Sequence, residues 1–247
     1  QTPTHKLPVI PRDRDCRPLP CSGCPFGGHT VGTRGPENSP FVIVGESPGS
    51  NELHQGYPFV GDSGDLLKET LERVGYTKDD PAPYIINALQ CFPTDKTPDK
   101  MALAARCCSK QLHDKIRAHP RKIILTLGNS AAQSVTGDFG IKITQDRGKR
   151  WNYAGSELGV IATMHPAFLM RSGTMYGPWK RDLAYAVSLF KGIDPKDGLW
   201  REPKWGVINT REQLLELLER YRNAPYIAGD IEAGGRDDLG FPAGLHF

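Results

Sequence analysis

Residues 41–49, FVIVGESPG, join an uninterrupted apolar run to a carboxylate and a tight turn. A strand that is buried on both faces of a parallel sheet has a continuous apolar sequence of this kind. The glycines and the proline around Glu46 favour a turn immediately after the run. We therefore predict a buried strand that carries Glu46 at its carboxyl end.

Three more apolar runs predict further buried strands of the same sheet: YIINAL (84–89), KIILTLG (122–128) and LGVIATM (158–164). Segments with apolar residues at helical spacing separate or follow these runs, over residues 64–75, 99–118, 129–135 and 178–190. This alternation of strands and helices predicts an α/β fold with a central, mostly parallel sheet.

Polar or turn-forming residues stand at or directly after the ends of all four predicted strands: Glu46, Asn87, Gly128 and His165. The carboxyl ends of parallel strands share one edge of the sheet, and α/β proteins bind their ligands there. A single Glu or His at such a position is usually a solvated or hydrogen-bonded loop residue. Four of them together predict a common crevice.

The composition excludes several classes of protein. The chain has 247 residues, of which 38% are hydrophobic and 24% charged, so it can form one large or two small globular domains. Its formal net charge of +3 is too small to indicate a polyanion partner, so a nucleic-acid surface has to be local. No apolar run is long enough for a membrane span, and the first 15 residues lack the apolar centre of a signal peptide. We expect a cytoplasmic location and no membrane partner.

The six cysteines are unevenly distributed: Cys16, Cys21, Cys24, Cys91, Cys107 and Cys108. The spacing Cys21-x-x-Cys24 and the pair Cys107–Cys108 are more typical of metal or cluster ligands than of disulfide partners. A chain of this length can also bury a core without disulfides. Zinc held by four thiolates remains an alternative to an iron–sulfur cluster on spacing alone.

Five short motifs occur along the first 192 residues: GESPG (45–49), GYPFVG (56–61), INALQC (86–91), TLGNSAAQSVTG (126–137) and MHPAFLMR (164–171). In this order and spacing they resemble the motifs of the iron–sulfur uracil-DNA glycosylases of family four. The resemblance implies a three-layer uracil-DNA-glycosylase-like fold. It also implies an enzyme that flips uracil out of DNA and hydrolyses its N-glycosidic bond, which leaves an abasic site.

The resemblance assigns three residues to catalysis. Glu46 matches the acidic residue that positions or activates the attacking water, and Glu52 matches the second acidic residue of the same loop. His165 matches the histidine that stabilises negative charge on uracil O2. Cleavage of this bond develops positive charge on the sugar and negative charge on the base, so a carboxylate and a hydrogen-bond donor suit the reaction.

Uracil binding is assigned by the same resemblance to Gly45, Phe59, Asn87 and His165. Phe59 matches the aromatic residue that stacks on the flipped base, although an isolated Phe is more often a core residue. Asn87 matches the side chain that hydrogen-bonds the Watson–Crick edge. An amide can both donate and accept, so it can pair with uracil and reject the amine of cytosine.

DNA contacts are predicted in two places. Leu169 would be the wedge that fills the vacated base stack, with Arg171 nearby for a phosphate. The basic run DRGKRW (146–151) contributes Arg147, Lys149 and Arg150. Such a run is as often an ordinary solvated face, but beside a base-flipping site it favours phosphate contacts.

The family resemblance implies a [4Fe–4S] cluster held by Cys21, Cys24, Cys91 and a fourth cysteine from the next helix. Spacing from Cys91 favours Cys107, whereas the apolar stripe of the helix favours Cys108, which we prefer. Four thiolates would tie the irregular amino-terminal segment to the rest of the domain. Cys16 would not be a ligand.

The chain departs from the family pattern at Ser47, Leu53 and Gln90, where a small apolar residue, an Asp and a Lys are common. These departures leave two alternatives to the enzyme open. One is a non-catalytic module that senses uracil in DNA for an attached polymerase. The other is a structural iron–sulfur domain in which Phe59 and Asn87 are dispensable for DNA binding.

The sequence changes character after residue 192. We predict a glycosylase domain over 1–192, and over 193–247 a linker, a helix at 210–223 and the start of a second domain. There the run YIAGDIEAGG resembles the first motif of DEDD-type 3′–5′ exonucleases, with Asp230 and Glu232 as metal ligands. The remaining ligands of such a domain are absent, so we expect no exonuclease activity. The expected partners are uracil-containing DNA and a covalently attached exonuclease or polymerase, in a bacterial or viral replication context.

Overall fold

A computed structural model of the chain describes residues 23–26, 30–193, 210–220 and 222. The chain divides into two compact units, Gln1–Trp200 and Arg201–Phe247. In the second unit the structure describes helix α8, Arg211–Arg220, within the segment where a helix is predicted. The exonuclease-like residues Asp230 and Glu232 lie outside the described residues.

A five-stranded sheet forms the centre of the first unit. Its strands are β1 (Phe41–Gly45), β2 (Tyr84–Asn87), β3 (Ile123–Leu127), β4 (Arg150–Asn152) and β5 (Gly159–Thr163). The order across the sheet is β2-β1-β3-β5-β4. The first four strands of this order are parallel, and β4 pairs antiparallel with β5. The prediction of a mostly parallel α/β sheet is therefore confirmed.

Helices cover both faces of the sheet. They are α1 (Ser50–Gln55), α2 (Asp62–Arg73), α3 (Pro98–Arg117), α4 (Asn129–Thr136), α5 (Ile143–Asp146), α6 (Pro166–Leu169) and α7 (Tyr176–Phe190). Alternate side chains of β1 enter two separate hydrophobic clusters, because successive residues of a strand point to opposite faces. One cluster includes residues of α2 and α7, and the other includes residues of α3. The result is the three-layer arrangement that the family resemblance implies.

Helix α7 is anchored beside the carboxyl end of β5. Trp179 is fully buried, and its indole Nε1 donates a hydrogen bond of 3.0 Å to the carbonyl oxygen of Met164. Asp182 of the same helix accepts a 2.5 Å hydrogen bond from Thr163 Oγ1. These contacts fix the chain just before His165.

None of the helices in the described part of the chain has the length and apolar character needed to cross a membrane.

Candidate active site

The four strand-end residues lie at one edge of the sheet. Gly45 pairs in register with Asn87, so Glu46 follows directly beside Asn87. Leu127 pairs with Thr163, and the Gly128 amide donates a 2.8 Å hydrogen bond to the Thr163 carbonyl. The parallel pairing places the carboxyl ends of β1, β2, β3 and β5 together, as the sequence predicts.

Gly128 lies close to both Glu46 and His165, the two residues that are predicted to stabilise charge in the reaction. A Cβ atom built at Gly128 would be 3.4 Å from Glu46 Oε2 and 3.6 Å from His165 Cβ. Gly128 also has a φ of +97°, a conformation that side chains other than glycine rarely adopt. The glycine, at the end of β3, therefore allows Glu46 and His165 to approach the same point from β1 and β5, the strands on either side of β3.

Gly45 likewise allows two of the predicted uracil-binding residues, Asn87 and Phe59, to lie close together. A Cβ atom at Gly45 would be 2.2 Å from Asn87 Oδ1 and 2.6 Å from Phe59 Cε2. Both side chains are buried, with exposed fractions of 3% and 4%. A larger residue at this position would displace the amide, the ring or both.

Phe59 is held in a strained backbone conformation. Its φ is +56°, in the left-handed region, which costs roughly 1–3 kcal/mol for a residue other than glycine. The Phe59 amide donates a hydrogen bond to Glu52 Oε1, and its carbonyl accepts one of 2.9 Å from Arg34 Nη1. The ring lies beside His165, with 5.6 Å between the ring centroids. The Phe59 ring is thus fixed against the candidate site.

Glu52 uses both carboxylate oxygens inside the protein. Oε1 accepts from the Phe59 amide, and Oε2 accepts from the Gly49 amide at 2.8 Å and from Asn87 Nδ2 at 3.4 Å. A carboxylate accepts hydrogen bonds but cannot donate them, so the NH₂ group of Asn87 has to face Glu52. The amide oxygen of Asn87 then faces Gly45. Glu52 therefore sets the orientation of the amide and of the Phe59 backbone together.

The tautomer of His165 follows from its local contact. His165 precedes helix α6, and its Nδ1 accepts a 3.2 Å hydrogen bond from the backbone amide of Ala167. A ring nitrogen that accepts from a backbone N–H carries no proton of its own. The proton of the neutral imidazole is therefore on Nε2, which is left as a donor.

His165 is neutral at pH 7. Burial lowers its pKa from 6.5 to about 4, and the positive charges of Lys96 and Arg171 contribute in the same direction. These two cations come from different elements, the loop after β2 and the residues after α6. The site thus combines a neutral donor with positive surroundings that favour negative charge on a bound group.

The residues after His165 differ from the prediction. Leu169 is 4% exposed and belongs to the hydrophobic core, whereas Phe168 is 39% exposed and Met170 is 51% exposed. Leu169 is the last residue of α6, and the short helix turns its side chain inward. The side chain expected as the wedge is therefore inside the protein, and its two neighbours are outside.

The predicted basic run is partly engaged within the protein. Arg147 Nε and Nη2 donate to the two carboxylate oxygens of Asp182 at 2.8 and 2.6 Å, so this guanidinium is not directed at solvent. Lys149 is exposed and forms an ion pair of 2.6 Å with Asp146. Arg150 is exposed at the start of the edge strand β4. Arg171, after α6, is exposed as well.

Comparison with known proteins gives the family. The chain matches the family model of the uracil DNA glycosylase superfamily over residues 33–187. A type-4 uracil-DNA glycosylase of Pyrobaculum aerophilum is 31% identical over 186 residues, which cover 71% of this chain and 93% of that relative. This chain is a member of the type-4 family. The resemblance drawn from the five motifs is confirmed.

Other similar proteins extend this type-4 relationship. A type-4 uracil-DNA glycosylase of Thermotoga maritima is 33% identical over 156 residues, which cover 62% of this chain and 79% of that relative. A DNA polymerase of Bacillus phage SP01 is 24% identical over 196 residues. That match covers 78% of this chain but 20% of the polymerase.

The type-4 chain has cysteines suited to a cluster. Cys24 and Cys91 are half-buried and pack against the same hydrophobic cluster as the buried stripe of α3, and Thr30 forms a β-bridge with Cys91. Cys107 and Cys108 of α3 are equally buried at 8%, so exposure does not distinguish them. Within the described residues no group of three His, Cys, Asp or Glu side chains is arranged to hold an ion, and Cys21 lies outside these residues.

Gln90, the residue that precedes Cys91 in the chain, has a buried side-chain amide without a partner in the described part of the chain. Gln90 is 4% exposed, and its Nε2 has no hydrogen-bond partner among the described residues. A buried amide donor without a partner costs about 1–3 kcal/mol. An acceptor such as a cluster sulfur or its thiolate ligands would satisfy it. The donor set and this orphaned amide therefore fit an iron–sulfur cluster.

Two residues of the candidate site were not predicted from the sequence. Arg34 holds the carbonyl of Phe59, but it lies in an irregular segment without a helical or strand period. Lys96 acts on His165 from the loop after β2, and nothing in its sequence surroundings indicates this proximity. Only the folded arrangement of the strand ends brings these cations to the site.

Proposed function

We propose that this chain is a uracil-DNA glycosylase that hydrolyses the N-glycosidic bond of a flipped-out uracil and leaves an abasic site. The observation that carries the proposal is the meeting of Glu46 and His165 across Gly128. The Glu46 carboxylate and the neutral His165 imidazole, a hydrogen-bond donor, lie there at the same edge of the sheet. The type-4 relatives, which are named uracil-DNA glycosylases, support this choice of reaction.

Uracil recognition is assigned to Phe59 and Asn87. The Phe59 ring supplies a flat apolar surface on which a flipped base can stack. The oriented amide of Asn87 offers an oxygen to uracil N3–H and an N–H to uracil O4. Cytosine presents an acceptor and an amine at these places, so both contacts would be mismatched. Glu52 acts as a positioning residue in this account, since both of its oxygens are engaged with the protein.

The chemical step uses charge stabilisation at two points. Glu46 positions a water molecule for attack at C1′ and stabilises the positive charge that develops on the sugar. The bond between C1′ and uracil N1 breaks, and the electron pair remains on the base. His165 Nε2–H donates to uracil O2 and stabilises this negative charge. The water oxygen becomes the C1′ hydroxyl of the abasic site, and the proton that it loses is taken up by the Glu46 carboxylate and then passes to the uracil anion. The products are neutral uracil and an abasic site.

An iron–sulfur cluster is proposed as a structural group of this domain. Cys21, Cys24, Cys91 and Cys108 would hold it, with Cys107 as the alternative fourth ligand. The cluster would join the amino-terminal segment to α3 and to the loop after β2, and no step of the hydrolysis is assigned to it. The packing of Cys24 and Cys91 against the hydrophobic cluster that includes residues of α3, and the orphaned Gln90 amide, support this assignment.

A second candidate function is a uracil-sensing module of a DNA polymerase. The similarity to a phage DNA polymerase over 78% of this chain favours an attached polymerase portion. In this reading the domain over 1–192 binds uracil in DNA, the segment over 193–247 begins the next domain, and turnover is slow or absent. The enzyme and the sensor share Phe59 and Asn87 but differ in whether Glu46 supports hydrolysis.

Uracil release from a labelled oligonucleotide tests the proposal. Iron-loaded protein is incubated with single- and double-stranded DNA that contains one uracil, and alkali then reveals abasic sites. Matched oligonucleotides with cytosine or thymine at the same position are the controls. Cleavage only at uracil is expected. Tight binding to uracil DNA without any release would favour the sensor, and equal release of cytosine would contradict the recognition by Asn87.

A further inference from the structure

A cavity separate from the candidate active site lies between helix α2 and the strands β1 and β2. Its volume is about 330 Å³, within the range of about 300–1,000 Å³ that is typical of ligand sites. Glu46, Asn87 and His165 are not among the described residues that line it. The two strands and the helix supply its apolar wall, which includes Ile43, Ile85, Leu67 and Leu71.

Hydrogen bonds and close packing fix the walls of this cavity. Arg34 forms a β-bridge with Ile85, in which its amide donates at 3.0 Å and its carbonyl accepts at 2.8 Å. Gly35 approaches Pro83 so closely that an added Cβ atom would be 2.1 Å from the Pro83 carbonyl oxygen. The Tyr76 hydroxyl donates to a backbone carbonyl of the loop before β2. The cavity is therefore preformed, and a ligand does not have to order its walls on binding.

The charged residues around the apolar wall leave a positive excess. Six of them line the cavity, three of each sign: Arg34, Lys68, Lys78, Asp65, Glu72 and Asp80. Asp80 is already paired, because its carboxylate lies 3.2 Å from Lys191 Nζ and accepts a 2.7 Å hydrogen bond from the Thr77 amide. Three cations and two carboxylates are left, so the lining complements an anion better than a cation.

Arg34 is the cation that the structure holds in place at this cavity. Its backbone is fixed by the β-bridge, and its Nη1 donates 2.9 Å to the Phe59 carbonyl. Within the described residues its side chain makes no other hydrogen bond. A guanidinium has five N–H donors in a planar fork, which fits two oxygens of a carboxylate, a sulfonate or a phosphate. Arg34 can therefore bind an oxyanion at the end of the apolar wall.

Phe59 connects the cavity to the candidate active site. It lines the cavity, and its carbonyl is held by Arg34. Gly64 of α2 packs against the same carbonyl, since an added Cβ atom there would be 2.0 Å from the Phe59 oxygen. The ring of Phe59 lies on the other side, beside His165. A group that draws Arg34 away from the carbonyl therefore loosens the support of this ring.

We propose that this cavity is a second ligand site, which binds a small aromatic oxyanion. The aromatic ring lies against the apolar wall, and the oxyanion pairs with Arg34. Binding of this ligand weakens the binding of a flipped uracil, because Arg34 also holds Phe59 in its strained conformation. The site itself is independent of the proposed function, and only its link with uracil rests on that function.

Titration with the dye 8-anilinonaphthalene-1-sulfonate tests the site. This dye is an aromatic oxyanion whose fluorescence rises in apolar surroundings, and we expect saturable binding to the wild type. Ala82→Trp, at an exposed position of the lining, should block the cavity and weaken binding by about 10-fold or more. Ala118→Trp, exposed and outside the lining, is the matched control. No binding to the wild type, or equal binding by Ala82→Trp, would overturn the proposal.

The neutral dye N-phenyl-1-naphthylamine tests the pairing with Arg34, because it has the same rings without the sulfonate. Arg34→Gln should weaken the binding of the anionic dye by about 10-fold and leave that of the neutral dye within about twofold, since a hydrogen bond to a charged group is lost for the anion alone. Arg73→Gln, an exposed arginine of α2 outside the lining, should change neither. An equal effect of Arg34→Gln on both dyes, or on neither, would overturn the assignment to an oxyanion.

Binding of uracil-containing DNA with and without the anionic dye tests the link to Phe59. Glu46→Gln is used so that the DNA stays intact during the measurement. Saturating dye should weaken DNA binding by about fivefold or more, and DNA should weaken dye binding by the same factor. The added Ala82→Trp change should remove both effects, and an unchanged DNA affinity in Glu46→Gln alone would overturn the link. If the protein neither binds nor cleaves uracil DNA, the proposed function fails, and the two dye titrations still decide the site.

Discussion

The carboxylate of Glu52 lies 3.4 Å from the side-chain amide nitrogen of Asn87 and also accepts the backbone amide of Phe59. One acidic side chain thus orients both residues that we propose for uracil recognition, Asn87 at the base edge and Phe59 on the base face. Glu52 belongs to the short helix α1, which begins directly after the turn at residues 46–49. The turn after β1 therefore places Glu52 where it contacts both Asn87 and the backbone of Phe59.

Glu52→Gln should impair recognition more than stability. A glutamine can donate as well as accept, so the Asn87 amide loses its fixed orientation. We expect kcat/KM for uracil to fall about 10- to 100-fold, since a hydrogen bond to a charged group contributes about 1.5–3 kcal/mol. Glu72→Gln, an exposed change on α2, is the matched control. A kcat/KM equal to that of the wild type in Glu52→Gln would contradict this positioning role.

Gly45→Ala should abolish most of the activity while the protein still folds. The added Cβ would lie 2.2 Å from Asn87 Oδ1 and 2.6 Å from Phe59 Cε2, so at least one of them has to shift. A displacement of about 1 Å at a reacting site costs about 100-fold in rate. Gly177→Ala, where the added Cβ meets nothing within 4 Å, is the control. Single-turnover rates near wild type in Gly45→Ala would contradict the assigned packing.

His165 should give both activity and stability a defined pH dependence. Because its pKa is lowered to about 4, the neutral donor form is present from pH 5 to 8 and is lost near pH 4. The unfolded chain binds this proton below about pH 6.5, so stability falls as pH decreases from about 6.5 to 4. The slope is at most about 1.4 kcal/mol per pH unit.

Urea unfolding at pH 4.5 and pH 7 measures this contribution. The difference between the two pH values should be smaller in His165→Asn than in wild type, and His54→Asn, at an exposed position, should behave as wild type. A histidine NMR titration gives the pKa of His165 directly. A value near 6.5 would show that the imidazole is not buried as described.

Substitution of single cysteines by serine tests the proposed cluster. Cys24→Ser and Cys108→Ser should lose bound iron, the visible absorbance of the cluster and part of the thermal stability, because each removes a thiolate ligand. Cys107→Ser is the matched control, one position away and equally buried at 8%. Loss of iron in Cys107→Ser but not in Cys108→Ser would move the fourth ligand to Cys107. Full iron in Cys24→Ser would contradict the cluster.

The parallel part of the sheet is predictable from sequence because both faces of its strands are buried. Continuous apolar runs identify β1, β2, β3 and β5, and the residues that follow them identify the site edge. Strand β4 is not predictable in this way, since it has three residues, RWN, of which the first and the last are polar and exposed. Its strand conformation depends on pairing with β5.

The functional details that the sequence does not reveal depend on long-range partners. The four-residue helix α6 is too short for a periodic pattern, so the burial of Leu169 follows only from its packing. Arg147 meets Asp182 across 35 residues of sequence, which converts an expected DNA contact into an internal ion pair. Neither the burial of Leu169 nor the ion pair of Arg147 can be predicted from the local sequence.

The most direct test of the account is single-turnover uracil release by wild type, Glu46→Ala and Glu46→Gln. Binding to uracil-containing DNA is measured in parallel for the same iron-loaded proteins. We predict release by wild type, a loss of at least about 100-fold in both variants, and binding within a few-fold of wild type, because Glu46 acts on the water and the sugar charge. Unchanged release in Glu46→Ala would contradict the central role of this strand-end carboxylate.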